Sequence, residues 1–179
     1  CEKAQRPNAS KIEDLGFNEY PNIWKVSLWG TGDNPIRSEC LQNGHIRIGW
    51  DDYGKDVTDE TDFVDGGSVV LNAFMNRMQL GDIVFSCYSS TTIDAIGVVV
   101  GEYEWHDEYD SLKRLRKVNW IVKGIRENIL SINAGTSMTL ASVYRLSNVA
   151  IGDVYQIIEK YYTVPLASIT NSRDNYVFI

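Results

Sequence analysis

The amino-acid sequence predicts one α+β domain built around a curved or barrel-like β-sheet with flanking helices. Short runs rich in β-branched and aromatic residues dominate the centre of the 179-residue chain. Two segments with helical spacing lie between these runs, and a third follows them. Strands that outnumber the helices connecting them are typical of a sheet whose faces the helices cover.

Five predicted strands make up this sheet. Each alternates apolar with polar residues or is a continuous β-branched run, and turn residues bound it. They cover residues 22–30, 45–50, 82–90, 93–105 and 116–125.

The first predicted helix, over residues 33–44, has signals at both ends. Asn34 is suited to cap its N-terminus, Pro35 to occupy the first helical position, and Gly44 to end it. A second helix is predicted over 68–82, where apolar side chains recur every four residues, and a third over 153–162.

The predicted domain covers residues 19–162. Residues 1–18 have no clear period and are interpreted as a leader or linker, and residues 163–179 as an extension. The last six residues, "DNYVFI", are interpreted as an edge strand or a chance likeness to one. Neither a signal peptide nor a membrane-length apolar run is apparent, so we expect a cytoplasmic protein with no membrane partner.

The charge pattern narrows the possible nucleic-acid interactions. A net charge of −7 argues against a nonspecific nucleic-acid coat protein, which usually has a basic surface overall. Lys and Arg cluster in residues 113–126, whereas acids concentrate in 51–65 and 102–110. A binding face and an ordinary solvated surface would both explain this uneven distribution of charge along the chain.

Catalytic and metal signals are weak. The three cysteines are widely separated and include no Cys-x-x-Cys pair, and there are only two histidines, so the sequence predicts no disulfide framework, metal site or cofactor. The "GTGD" of residues 30–33 lacks the Lys-Ser/Thr of a phosphate-binding loop and is interpreted as a turn. We therefore expect a protein that is not an enzyme.

Trp50 is the most informative aromatic residue. Trp24 and Trp120 lie mid-strand among apolar neighbours and are predicted to be core, but Trp50 ends a strand and is followed at once by Asp51 and Asp52. A ring beside hydrogen-bond acceptors suits a pocket for a planar base, which it can stack on. The alternative interpretation is that "WDD" forms a turn and caps a helix.

Several motifs in this order resemble a known family. "GHIRIGWDDYG", "MQLGDIVFSCYSS", "AIGVVVGEYEW" and "RLRKVNWI" resemble the EVE-like branch of the PUA/YTH/ASCH superfamily. The chain looks most like the N-terminal recognition domain of McrB-type modification-dependent restriction systems, over residues 20–158.

The resemblance implies a pseudo-barrel that binds a modified base, a methylated cytosine or adenine, flipped from double-stranded DNA into an aromatic pocket. It also implies a specificity subunit that works with a GTPase motor and a nuclease. A YTH-like RNA reader is the alternative, and an enzyme acting on a nucleic acid or nucleotide is a third, less supported class.

The resemblance also implies which residues form the site. By this resemblance, Trp50 ends the second main strand and forms a wall of the pocket, and Asp51 hydrogen-bonds to the edge of the base. The expected base-binding pocket comprises Trp50, Asp51, Trp29, Ser27, Ser86, Tyr88, Trp105, Tyr109 and Leu112. The expected phosphate contacts are Lys113, Arg114, Arg116 and Lys117.

Overall fold

A computed structural model describes residues 15–58 and 60–171, with side chains as far as residue 161. Seven strands and three α-helices form this described part of the chain. In chain order they are β1 (Ile23–Val26), α1 (Pro35–Asn43), β2 (His45–Ile48), α2 (Gly67–Asn72), β3 (Ile83–Cys87), β4 (Thr92–Val99), β5 (Glu104–Trp105), β6 (Arg114–Asn128), β7 (Val143–Arg145) and α3 (Ile151–Asn171).

The strands form one sheet in the order β2-β6-β4-β3-β1-β7, with β5 also paired to β6. The β1–β3 pair is parallel, and all the other pairs are antiparallel. The 15-residue strand β6 pairs first with β2 and then with β4, and the β4–β6 register shifts twice. Such irregularities bend a strand and increase its twist, so the sheet curls. This architecture confirms the predicted α+β class and curved sheet.

Helices cover both faces of the sheet. Alternate residues of β3 divide between two cores: Ile83 and Phe85 pack in the cluster that includes Val154 of α3, whereas Val84 packs in the cluster that includes Phe74. This division follows from the two-residue period of a strand. Trp24 and Trp120 pack in or against the second cluster, which confirms their prediction as core residues.

The second predicted helix ends earlier than expected. Helix α2 passes into a π-helical turn at Ala73–Arg77, and Met78 is already extended. The Nη1 group of Arg116 donates to the carbonyls of Phe74 and Met78, at 3.0 and 2.7 Å. A buried cation from β6 therefore satisfies carbonyls that a longer helix would have used.

Two strand predictions were too long, and one strand was missed. The run 93–105 divides into β4 and β5, and the run 22–30 leaves the sheet after Val26. β7 has only three residues, too few to give a periodic signal.

Contacts and secondary structure continue past both ends of the predicted domain, residues 19–162. Phe17 stacks on Tyr155 of α3 with a centroid separation of 6.0 Å, so residues 15–18 pack with the domain although they were assigned to a leader. Helix α3 runs to Asn171, beyond the predicted boundary at 162. The proposed edge strand "DNYVFI" lies outside the described residues. Among the described helices, none has the length and apolar character that crossing a membrane requires.

Candidate base-binding site

A cavity of about 310 Å³ opens where the β1–α1 loop, the end of β2 and the segment before β6 meet. It is lined by Ser27, Trp29, Gly30, Arg47, Ile48, Gly49, Trp50, Leu112 and Ser142. The structure thus brings together four of the predicted pocket residues, Ser27, Trp29, Trp50 and Leu112.

Backbone strain converges on this cavity. Trp29, Trp50 and Leu112 have φ values of 62°, 61° and 53°, and they are three of the four non-glycine residues with positive φ in the described chain. A bulky residue in this region costs roughly 1–3 kcal/mol and persists only where its surroundings fix it. Such strain clusters at binding sites, so this backbone geometry makes the cavity the candidate functional site.

Two polar side chains hold the loop that presents Trp29. Asn34 accepts the N–H of Arg37 as the predicted cap of α1, and its Nδ2 donates to the Trp29 carbonyl at 3.3 Å. The Arg37 guanidinium donates to the carbonyls of Gly30 and Gly32 at 2.9 and 2.8 Å. The Trp29 side chain is 64% exposed, so a well-anchored loop places a large aromatic ring at the rim of the cavity.

Trp50 is fixed from two directions. The Arg114 guanidinium donates to the carbonyls of Gly49 and Trp50, at 3.1 and 2.8 Å. The indole packs against the start of α2, where a Cβ at Gly67 would lie 2.7 Å from its Cδ1 atom and 2.9 Å from its Nε1 atom. Only glycine at position 67 leaves space for the ring in this position.

Arg47 both lines the cavity and holds its third strained residue. Its Nε donates to the Leu112 carbonyl at 3.1 Å, and its Nη2 to the Ser111 carbonyl at 2.9 Å. The Tyr109 ring covers the guanidinium at 3.5 Å, and Glu39 pairs with it at 2.8 Å. The segment before β6 is therefore tied to β2 by one buried cation.

The polar groups in the wall are mainly hydroxyls. The main-chain N–H of Ser27 donates to the Ser142 carbonyl at 2.8 Å, which holds the two residues side by side. Within the described chain, neither hydroxyl has a hydrogen-bond partner of its own. A hydroxyl can donate and accept, so both remain available to a polar ligand edge.

A comparison of the sequence with known families assigns the chain to one of them. The family model described as "Domain of unknown function (DUF8426)" matches residues 24–147. The chain belongs to DUF8426. The matched range contains every residue that lines the cavity, so the site is part of the DUF8426 domain itself. No curated protein matches the chain.

Among solved structures, this DUF8426 chain is similar in overall shape to YTH domains. The YTH domain of the Zygosaccharomyces rouxii MRB1 protein, in complex with N6-methyladenosine RNA, aligns at 10% identity and a TM-score of 0.46, over 82% of this chain and 89% of that one. The Mmi1 YTH domain aligns at 8% identity and 0.48, over 84% and 82%. Protein Atu2648 from Agrobacterium tumefaciens aligns at 12% identity and 0.40, over 79% and 92%.

Asp51 does not line the cavity of the DUF8426 domain, although it was predicted to read the base. Its Oδ1 accepts the main-chain N–H of Lys113 at 3.1 Å, and it begins a 3-10 turn, Asp51–Tyr53. The alternative interpretation of "WDD" as a turn matches this 3-10 turn, but no side chain caps it. Asp51 therefore joins the end of β2 to the start of β6.

Four other predicted pocket residues make contacts with arginine side chains elsewhere in the domain. Ser86 is fully buried and accepts from Arg37 at 3.0 Å, and the Tyr88 ring lies under Arg126 at 3.8 Å. The other two cover the arginines that hold the strained backbone: Trp105 lies over Arg114 and Tyr109 over Arg47. None of the four lines the cavity.

The phosphate-contact prediction is wrong for Arg114 and Arg116. Both residues are at most 1% exposed, and their guanidiniums donate to carbonyls within the domain. A phosphate could reach these guanidiniums only if the hydrogen bonds broke and the domain opened locally. Lys113 and Lys117 are more accessible, with Nζ atoms 3.8 and 3.9 Å from acidic partners, and their contact with phosphate remains a prediction.

Sequence reasoning missed the residues that hold the cavity together. Arg37, Arg47 and Ser142 were not singled out, because a charged residue in a short element usually faces solvent and a lone serine in a loop carries no signal. One usable clue was present: Arg47 alternates with Ile46 and Ile48, which places its side chain on the opposite face of β2.

The turn that carries Tyr109 should respond to pH. His106 lies between Glu108 and Glu104, each 2.7 Å away, and hydrogen bonds to these carboxylates raise the pKa of His106 above its ordinary 6.5. A raised histidine pKa stabilises the fold fully below pH 6.5, and this contribution is lost as the pH rises through the higher folded value. We expect NMR titration to give a pKa above 6.5 that falls in Glu108→Gln; a wild-type value at or below 6.5 would contradict this.

Proposed function

We propose that this DUF8426 chain is a non-enzymatic module that binds a modified nucleobase between Trp29 and Trp50. The observation that carries the proposal is the convergence of three strained residues, two of them tryptophans, on one small cavity. Its volume of about 310 Å³ is at the lower end of the range of roughly 300–1,000 Å³ for small-molecule sites. A single planar group suits this space, and each stacked base contributes about 1–3 kcal/mol.

The wall also offers groups that can read the edge of a base. Ser27 and Ser142 each present a hydroxyl, and Arg47 presents a guanidinium already fixed by its contacts to Leu112 and Glu39. Because its contacts already hold it in place, the guanidinium loses little entropy on binding. The edge of the base would therefore be read by the hydroxyls of Ser27 and Ser142 and by the guanidinium of Arg47, and the carboxylate of Asp51 takes no part.

The nucleic acid proposed is double-stranded DNA, with the modified base flipped out of the helix. The motif order resembling McrB-type recognition domains supports this choice, and it extends the proposal to a specificity subunit acting with a GTPase motor and a nuclease. A cavity that takes a single base accepts it only after the base leaves the stack, which costs a few kcal/mol. Phosphate contacts outside the cavity would offset part of that cost.

Direct binding measurements test the proposal. Fluorescence anisotropy should be recorded for short duplex DNAs carrying one methylated cytosine, one methylated adenine or no modification, and for RNA of the same sequence with and without the modified base. We expect tighter binding to a modified duplex than to its unmodified control. Equal affinity for every modified and unmodified pair would overturn base recognition, whereas a preference seen only in RNA would reassign the module to RNA.

The two accessible lysines should act on the backbone of the nucleic acid. We expect Lys113→Ala with Lys117→Ala to weaken binding of modified and unmodified duplexes about equally. The slope of log affinity against log salt should fall by about one unit per lost phosphate contact. Lys160→Ala, at an exposed lysine of α3 that pairs with Glu127 of β6, is the matched control and should leave the slope unchanged. A loss confined to the modified duplex would instead place these lysines in base recognition.

A further inference from the structure

We infer that Glu39, Cys40 and His45 form a binding site for a zinc-type transition-metal ion. One ligand atom from each residue lies within 4.8 Å of the other two. Glu39 and Cys40 are neighbours near the end of α1, and His45 is the first residue of β2. Gly44, in the left-handed conformation at φ 73°, turns the chain so sharply that the three side chains meet.

The imidazole of His45 is the observation that points to a ligand. His45 is 8% exposed, and its Nε2 atom is buried without a hydrogen-bond partner in the described chain. The Oε2 atom of Glu39 lies only 2.6 Å from this nitrogen, a salt-bridge contact without hydrogen-bond geometry. Buried polar atoms are nearly always satisfied, and a cation bound by both atoms would satisfy this one.

The chemistry of the three donors selects the metal. A thiolate, an imidazole and a carboxylate together are typical of Zn²⁺, whereas Mg²⁺ and Ca²⁺ prefer oxygen ligands throughout. On binding, the Cys40 thiol releases its proton to solvent and its sulfur bonds to the metal. The thiolate and the Glu39 carboxylate then carry two negative charges, which balance the ion although Arg47 lies nearby.

Neighbouring residues orient the carboxylate. Arg47 donates to Oε1 of Glu39 at 2.8 Å, and the Asn43 amide donates to Oε2 at 2.8 Å. Such outer contacts commonly fix ligand orientation in metal sites. Glu39 is 27% exposed at its side chain, so water can occupy the fourth position of a tetrahedral ion.

Metal titration of protein without a histidine tag tests the inference. We expect one equivalent of Co²⁺ to bind with a thiolate-to-cobalt charge-transfer band, and Zn²⁺ to displace it and raise the melting temperature. Cys40→Ser should abolish the band. Cys87→Ser is the matched control, because Cys87 is also buried but its thiol donates to the Ser89 carbonyl, and it should keep the band.

A second pair of variants covers the case in which Cys40→Ser does not fold. Glu39→Gln and His45→Gln should each weaken metal binding by at least about tenfold. Absence of the charge-transfer band in wild-type protein would overturn the inference. Unchanged metal affinity in both Glu39→Gln and His45→Gln would overturn it as well. Neither result depends on nucleic-acid binding, so the base-reader proposal stands or falls separately.

Discussion

Trp29→Ala is expected to weaken binding of the modified base by about one to two decades while the domain stays folded. One stacked base contributes about 1–3 kcal/mol, and 1.4 kcal/mol corresponds to a tenfold change in affinity. The side chain is 64% exposed, so its removal takes little apolar surface out of the core. Anisotropy titration of a modified duplex gives the affinity, and thermal unfolding of the same sample checks the fold.

Two further variants make this expectation specific. Tyr20 is 87% exposed and does not line the cavity, so Tyr20→Ala should bind as tightly as the wild type. Gly67→Ala keeps both tryptophans but places a methyl group about 2.7 Å from the Trp50 ring, which must then move. We expect this variant to lose affinity too. If Trp29→Ala binds like Tyr20→Ala, the exposed tryptophan does not contact the base.

The sequence predicted the location of the candidate site better than the contacts that hold its residues in place. The strand "HIRIG" with Trp50 after it could be identified because alternation and turn residues are local signals. The left-handed backbone conformation of Trp50 could not be identified from the sequence. That conformation is expected of glycine and not of a bulky residue. It depends on Arg114, a contact between residues 64 positions apart.

Buried cations explain most of what the sequence analysis assigned wrongly. Arg114 and Arg116 lie in a basic run, and basic residues usually face solvent, so a phosphate role was the natural expectation. In the folded chain their guanidiniums satisfy carbonyls at irregular chain turns. The sequence analysis also missed the cluster of Glu39, Cys40 and His45, because it has no Cys-x-x-Cys spacing. The three side chains meet only because the chain turns at Gly44.

Removal of the Asp94 carboxylate is expected to have the largest effect on stability. Its Oδ1 lies 3.1 Å from Nη1 of Arg37, and both side chains are only 3% exposed. Asp94→Ala leaves a buried guanidinium without its counter-charge, which typically costs about 3–5 kcal/mol. That is a large fraction of the roughly 5–15 kcal/mol that stabilises a typical domain. Urea unfolding should show the loss as a lower midpoint with an unchanged slope.

The double variant Arg37→Met with Asp94→Leu separates the two roles of this ion pair. Replacing both charges with apolar side chains should recover most of the stability, because no uncompensated charge remains. The loop that presents Trp29 nevertheless loses the bonds from Arg37 to the carbonyls of Gly30 and Gly32. We therefore expect a stable protein that binds the modified duplex weakly. A double variant that binds as tightly as the wild type would show that Arg37 stabilises the fold without positioning Trp29.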